Sequence, residues 1–415
     1  MTQGAAMTAQ ADGPIDQALR SRAKQVIPGG MWGHLNAAPL PQGYPQFFAR
    51  SQGCRLWDVD GREYVDLMCS WGPIVLGHHH AAVDSAYQRQ AAAGACMNGP
   101  APVLVELAEA LVDQIPHADW VLFQKNGTDA TTTCVTTARA ATGRRKVLVA
   151  RGSYHGAVPW CSPSLVGVTT EDRAHLIAYD YNDVASVQAA VLEAGDDLAA
   201  ILVTAFRHDM GRDQELPTIE FAQALRNAAT AADAALIVDD VRAGFRLHAG
   251  GSWETLGVRP DLSAFSKSIA NGYPLAAVTG NDRFREAASR LYVTGSFWCE
   301  APPMAAALAT LQAMREGNVI AHLEAMGRRL RLGLDRLAAQ AGFRLRQTGP
   351  VQMPTVMFDD DADGAKGRAF CAAALRAGTY FHPRHNMFLS AAHQAEDIDH
   401  ALRSAEAGFE ALQQQ

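Results

Sequence analysis

Asp239 and Lys267 are the residues whose type and setting point most directly to chemistry. Asp239 follows the apolar run Ala235-Leu236-Ile237-Val238, the pattern of a buried strand that delivers a carboxylate to the mouth of a sheet. Lys267 follows a second run, Leu262 to Phe265, and its small neighbours leave the ammonium little solvation. A lysine so placed has a lowered pKa and becomes a nucleophile for carbonyls, while a carboxylate at a neighbouring strand end can keep a pyridinium nitrogen protonated. Pyridoxal phosphate (PLP) requires that pair: an amine for its aldehyde and an anchor that keeps the ring an electron sink. Taken singly, each residue has a plainer reading, Asp239 as a helix cap and Lys267 as a solvated cation.

The elements around them must do the positioning. Trp120-Val121-Leu122-Phe123 reads as a strand, after which Lys125-Asn126-Gly127-Thr128-Asp129-Ala130 opens a small-residue helix to about Thr142. Strand, glycine turn and helix N-terminus make an anion cradle at Asn126, Gly127 and Thr128, although a plain cap at Thr128 explains the same residues. Lys146 to Ala150 is a further strand, followed by the glycine-bounded turn Gly152-Ser153-Tyr154-His155-Gly156, whose aromatic ring could stack on a heteroaromatic cofactor. The alternation continues through helix Val184 to Leu192, strand Ala199 to Thr204, helix Glu220 to Ala229, and strands at Ala235, Leu262 and Leu275. Such repetition implies an α/β fold with a mostly parallel central sheet, helices on both faces and a ligand site at the strands' C-terminal ends. Asn126 to Thr128, Tyr154, Asp239 and Lys267 all fall at such ends, a coincidence harder to obtain by chance than any one motif.

Outside this region, Ile15 to Val26 reads as an amphipathic helix, and Met31-Trp32-Gly33-His34 opens an irregular segment that is either buried ballast or a substrate wall. Phe47 to Leu67 forms a hairpin signal around Val59-Asp60-Gly61-Arg62. His78 to His80 could suggest a metal, but adjacent histidines rarely converge and no Cys or carboxylate lies at ligand spacing, so none is expected. Helices from about Pro303 to Arg315 and from Ile320 to Ala341 lead into a mixed pattern, read as a smaller C-terminal α+β lobe packed over the site. The expected parts are an N-terminal segment (1–75), a large cofactor-binding domain (76–315) and a small domain (316–415).

With 415 residues, 48% hydrophobic and 19% charged, the chain has the composition of a globular enzyme. A formal charge of -7 offers no broad positive field, so no nucleic-acid partner is expected. Seven scattered cysteines, odd in number and without a C-x-x-C pair, indicate free thiols and a cytoplasmic setting. The opening MTQGAAMTAQADGPIDQAL lacks the marks of a secretory leader, no run is apolar enough to span a bilayer, and low complexity is confined to the short C-terminal Gln tail.

Several blocks together resemble the class III aminotransferases, fold-type-I PLP enzymes, and within them the glutamate-1-semialdehyde aminomutase branch. They are Trp57-Asp58-Val59-Asp60-Gly61, Ser70-Trp71-Gly72-Pro73, Gly127-Thr128-Asp129-Ala130, Tyr154-His155-Gly156, Asp239-Asp240-Val241, Gly244-Phe245-Arg246, Pro260-Asp261-Leu262, Ser266-Lys267 and Ala392-His393 with Glu396-Asp397-Ile398-Asp399. The resemblance implies that Lys267 forms the Schiff base and shuttles the proton, and that Asp239 binds the pyridine nitrogen. It places Val241 and Tyr154 on the two ring faces and Gly127 and Thr128 at the phosphate; Asn126 and His155 complete the candidate cofactor-binding set. Ser296, where threonine is usual, would reach the phosphate of a neighbouring subunit, which makes the unit a homodimer with active sites at the subunit interface.

The chain departs from that pattern where substrate is recognised. Met31-Trp32-Gly33-His34 stands where the aminomutases carry a carboxylate-binding arginine, Thr204-Ala205-Phe206-Arg207 replaces a common Glu-Pro, Asp240 replaces Glu, and His382-Pro383-Arg384-His385-Asn386 replaces a stretch bearing a glutamate. Arg207, Arg242 and Arg384 are the candidate carboxylate binders, and Trp32, His34 and Trp71 the candidate substrate wall. The function expected is an aminotransferase moving nitrogen from an amino acid or amine donor to an oxo-acid or carbonyl acceptor. An aminomutase or amino-acid racemase would use the same lysine, and a binding protein without turnover is the remaining reading.

Overall fold

The computed structural model describes residues 13–414. The residues before Gly13, which hold most of the segment read as lacking a secretory leader, and Gln415 of the Gln tail lie outside the described residues. The described residues form two compact units: one takes residues 13–71, Gly77–His79 and 323–414, and the other takes Gly72–Leu76 and His80–His322. Among the described residues no helix is long and apolar enough to cross a membrane.

In the first unit the N-terminal and C-terminal parts of the chain share a sheet. Strands Phe48–Gln52, Arg55–Asp58 and Glu63–Asp66 form an antiparallel meander, and Thr379–Tyr380 adds to its edge parallel to Glu63–Asp66. The turn between the second and third strands is the one expected from Asp60-Gly61, with Gly61 at φ 85° and Asp58 accepting from the N–H groups of Asp60 and Arg62.

The second unit is built on a seven-stranded sheet. In chain order its strands are β1 (Trp120–Gln124), β2 (Lys146–Ala150), β3 (Leu176–Tyr179), β4 (Leu198–Thr204), β5 (Ala235–Asp239), β6 (Leu262–Phe265) and β7 (Ala276–Gly280). Their spatial order is β1-β7-β6-β5-β4-β2-β3, and only β7 runs antiparallel, against both β1 and β6. β4 and β5 read as unbroken apolar runs because both of their faces are covered. Ile201, Val203, Leu236 and Val238 pack on one side with Val187, Phe221 and Leu225 from helices Val184–Ala194 and Ile219–Ala231. Ala200, Leu202, Ala235 and Ile237 pack on the other side with Ala130, Cys134 and Ala138 of helix α1 (Gly127–Thr142) and with Phe284. Burying each large aliphatic side chain contributes about 1.5–3 kcal/mol.

The period-two alternation carries a consequence for chemistry. Asp239 continues the odd-numbered set of β5, on the face that packs with α1, and pairs in register with Thr204 of β4 and Ala264 of β6. α1 itself is rich in threonine, a poor helix former, and is held by packing of Ala130, Cys134 and Ala138 against the sheet, while the hydroxyls of Thr136, Thr137 and Thr142 are satisfied by the carbonyls four residues earlier. It ends at Gly143 in the left-handed region, φ 69°.

Elements beyond the sequence reading include edge strand β3 and helices Ala81–Ala93 and Asp282–Arg290. The first is only four residues long, and the second is too rich in alanine to show a clear apolar stripe. Within the C-terminal part of the chain, Met387 to Ala391 forms no regular element.

Candidate active site

Lys267 begins a short turn directly after β6 and takes a left-handed conformation, φ 53°, which is costly for a side-chain-bearing residue. The turn is held on both sides: Ser266 Oγ donates to the Leu275 carbonyl at 2.9 Å and Ser268 Oγ to the Gly244 carbonyl at 3.1 Å. Burial pushes the Lys267 ammonium well below its ordinary pKa, and the positive charge of Arg242 pushes the same way against the opposing pull of Asp239. The poorly solvated amine with a lowered pKa that the sequence leads one to expect is met at Lys267.

Asp239 is buried, and its carboxylate is fixed by two donors. Its Oδ2 lies 2.8 Å from His155 Nδ1, and its Oδ1 accepts from the Val241 N–H at 3.2 Å. His155 is also buried, and its Nε2 has no hydrogen-bond partner among the described residues. The sequence reading places His155 among the cofactor ligands; the structure places it against Asp239. That relation is invisible in one dimension because 84 residues separate the two.

The cradle expected at the start of α1 is defined by close approach. Asn126 caps α1, its side chain accepting from the Asp129 N–H at 3.0 Å, so Asn126 and not Thr128 is the cap. The N–H groups of Gly127 and Thr128 stand at the helix's positive end. A Cβ on Gly127 would fall 2.7 Å from Val241 Cγ1, and one on Gly156, already at φ 136°, would fall 2.6 Å from Thr128 Oγ1. Thr128 Oγ1 also accepts from the Ala157 N–H at 3.3 Å, which ties the turn after Tyr154 to the cradle.

Tyr154 and Arg242 complete the neighbourhood. Tyr154 is exposed, yet burial of its hydroxyl end and the nearby Cys161 and Asp239 raise its pKa, with Arg242 opposing. Arg242 is buried and drops to about 10 through that burial, with Asp239 and Tyr154 opposing. Sequence reasoning treats Arg242 only as a carboxylate binder and misses its electrostatic effect on Lys267; its place three residues after Asp239 was the available signal. Asp240 points elsewhere: its carboxylate accepts from the Ser252 N–H at 2.7 Å, and burial pushes it up to about 6.

The remaining candidates separate. Ser296 is exposed on an irregular stretch preceding helix Ala301–Glu316. Arg207 is paired with Asp209 at 3.0 Å and Glu215 at 3.3 Å, and its backbone makes a reciprocal bridge with Glu215. Trp32, His34, Trp71 and Arg384 belong to the other unit. There Trp71 gathers three imidazoles edge-on, His34 at 4.9 Å, His382 at 5.4 Å and His385 at 4.8 Å between ring centroids, while Trp32 and Arg384 are exposed. Cys69, Ser70 and Trp71 are all left-handed, a strained run pinned by the N–H groups of Met68 and Cys69 donating to Asp66 Oδ1. Among the described residues no group of three or more His, Cys, Asp or Glu side chains could hold a metal.

The larger unit's donor set fits PLP: an amine whose pKa is lowered by burial, a fixed carboxylate, and two backbone N–H groups in a cradle that only glycine opens. Comparison with known proteins agrees. Residues 40–404 match the model of the family described as aminotransferase class-III. The aminopentol aminotransferase of Sphingopyxis macrogoltabida is 46% identical over 97% of this chain and 95% of its own. The glutamate-1-semialdehyde 2,1-aminomutase of Bordetella avium is 34% identical over 95% and 98%. The solved PLP internal aldimine form of the Sphingopyxis sp. MTA144 FumI protein superposes with a TM-score of 0.96 at 46% identity, covering 96% of this chain and 97% of that one. The chain therefore belongs to the class-III aminotransferases and is a PLP-dependent aminotransferase acting on small molecules.

Proposed function

We propose that this enzyme takes nitrogen from an amine with no carboxylate beside its amino carbon and delivers it to a carbonyl acceptor. The observation that carries the reading is Arg207. Its guanidinium is already committed to Asp209 and Glu215, so this candidate grip for a substrate carboxylate is occupied by the protein's own acids. Met31-Trp32-Gly33-His34, where the aminomutases carry an arginine, supports the same reading, as does the similarity to an aminopentol aminotransferase.

Bound PLP would supply an electron sink for the bond broken at the substrate's amino carbon. Lys267 Nζ would hold the cofactor's aldehyde carbon and, once displaced by the incoming amine, carry the proton from the amino carbon to the cofactor's C4′. Burial and the charge of Arg242 lower its pKa, which favours proton release from Nζ. Asp239 would keep the proton on the pyridine nitrogen, oriented by His155, with Val241 and Tyr154 against the two ring faces. Asn126, Gly127 and Thr128 would hold the phosphate through backbone and hydroxyl groups.

Ser296 would reach the phosphate of a second copy, making the working unit a homodimer with its active sites at the interface. The apolar surface left open near it supports this: Tyr292 is 93% and Phe297 63% exposed. A cytoplasmic setting belongs to the same reading and is supported by seven cysteines free of disulfides.

The test is a panel of simple amines, hydroxylated amines and α-amino acids, each with oxo-acid and aldehyde acceptors and with no acceptor. Amine-dependent conversion of acceptor to aminated product is expected. Turnover confined to α-amino acids, or an isomer formed with no acceptor present, would contradict it.

A further inference from the structure

Lys125 immediately precedes the cap of α1, and its ammonium ties together three segments that meet nowhere in the sequence. Nζ lies 3.0 Å from Glu300 Oε2 and donates at 3.2 Å to the carbonyl of Pro274. Both charged side chains are largely buried, at 14% and 23% exposure. Pro274 closes the turn that follows Lys267, and Glu300 ends the irregular stretch that carries Ser296.

That stretch is held together internally by short-range contacts. The Val293 N–H donates to Leu291, the Trp298 N–H to Gly295 and the Glu300 N–H to Phe297, and a Cβ on Gly295 would meet the Trp298 ring at 2.5 Å. Its ties to the rest of the unit include Cys96 Sγ to the Ser296 carbonyl at 3.2 Å, the backbone bond from Ala301 to Ala95 at 3.0 Å, and the Lys125–Glu300 pair. Of these, only the ion pair leads to the strand end that carries the phosphate cradle.

We propose that Lys125 and Glu300 are positioning residues that set the Ser296 stretch and the turn after Lys267 against the phosphate cradle, so that cofactor retention in a pair of chains depends on this partly buried ion pair. The inference rests on the PLP site and the two-copy arrangement described above. Replacing one partner leaves the other charge poorly solvated and releases one of the three segments.

The experiment titrates apo-enzyme with PLP by visible absorbance and measures the dimer's dissociation and the melting temperature, for Lys125→Met, Glu300→Gln, the double variant and Lys125→Arg. Each single variant is expected to weaken PLP retention roughly tenfold and loosen the dimer, the double to be no worse than either single, and Lys125→Arg to recover most of the loss because it keeps the charge and both donors. A merely structural pair would lower the melting temperature and leave the PLP titration unmoved, and that outcome overturns the proposal. Losses that add fully in the double variant overturn it as well. Failure of the unaltered chain to take up PLP would instead sink the function proposed above, and this inference with it.

Discussion

His155 Nδ1 sits 2.8 Å from Asp239 Oδ2 with both side chains buried, so the carboxylate at the end of β5 is braced from the turn after β2. A hydrogen bond to a charged group contributes about 1.5–3 kcal/mol. His155→Leu leaves Asp239 without that support, and kcat/KM should fall roughly ten- to a hundredfold, with weaker PLP binding. Steady-state kinetics beside a PLP titration measures both, and an unchanged kcat/KM would refute the bracing.

Gly127 is needed for space. Because its Cβ would lie 2.7 Å from Val241 Cγ1, Gly127→Ala should weaken PLP binding by roughly tenfold through overpacking of about 1–3 kcal/mol. Adding Val241→Ala relieves the clash, so the double variant should regain stability while losing the ring contact. Calorimetry and PLP titration of the pair separate the two effects, and a single variant that binds PLP as the parent does would count against the cradle.

Acid should act through buried histidine. His117 rests 3.2 Å from Thr279 Oγ1, and burial, aided by Arg259, pushes it down to about 4. An unfolded imidazole protonates below its ordinary 6.5 whereas the folded one does not until about 4, so unfolding takes up a proton across that window. The contribution of His117 is complete above pH 6.5 and is lost as pH falls toward 4, at about 1.4 kcal/mol per pH unit. His117→Gln should flatten the decline of Tm over that interval, and parallel declines would contradict the assignment.

Arg207 should matter little to donor or acceptor. Paired with Asp209 and Glu215 and only partly buried, it stabilises its own hairpin by about 1 kcal/mol or less. Arg207→Ala should shift the KM of any oxo-acid by less than about threefold, the range of an exposed pair. A much larger rise, with kcat unchanged, would show that substrate carboxylate displaces the internal acids.

The chemistry was legible where local pattern and chain position coincide. Asp239 and Lys267 each close an apolar run, and Gly127 stands between a strand and a helix, so their strand-end locations followed from periodicity. What stayed hidden was set by tertiary packing: the His155–Asp239 contact, the charge of Arg242 beside Lys267, and the tie from Lys125 to Glu300 across 175 residues. The antiparallel β7 was hidden too, because its Ala-Ala-Val core is as apolar as a parallel strand's. Arg207 shows the opposite failure, a residue with the right charge in a plausible loop whose partners are internal acids fixed only by folding.

The assignment of Lys267 as the residue that holds the cofactor is tested most directly by reducing the PLP-loaded enzyme with borohydride and mapping the modified peptide by mass spectrometry. The cofactor's mass should appear on Lys267 alone and disappear in Lys267→Ala. A label on another lysine, or a retained label in that variant, would contradict the active site described here.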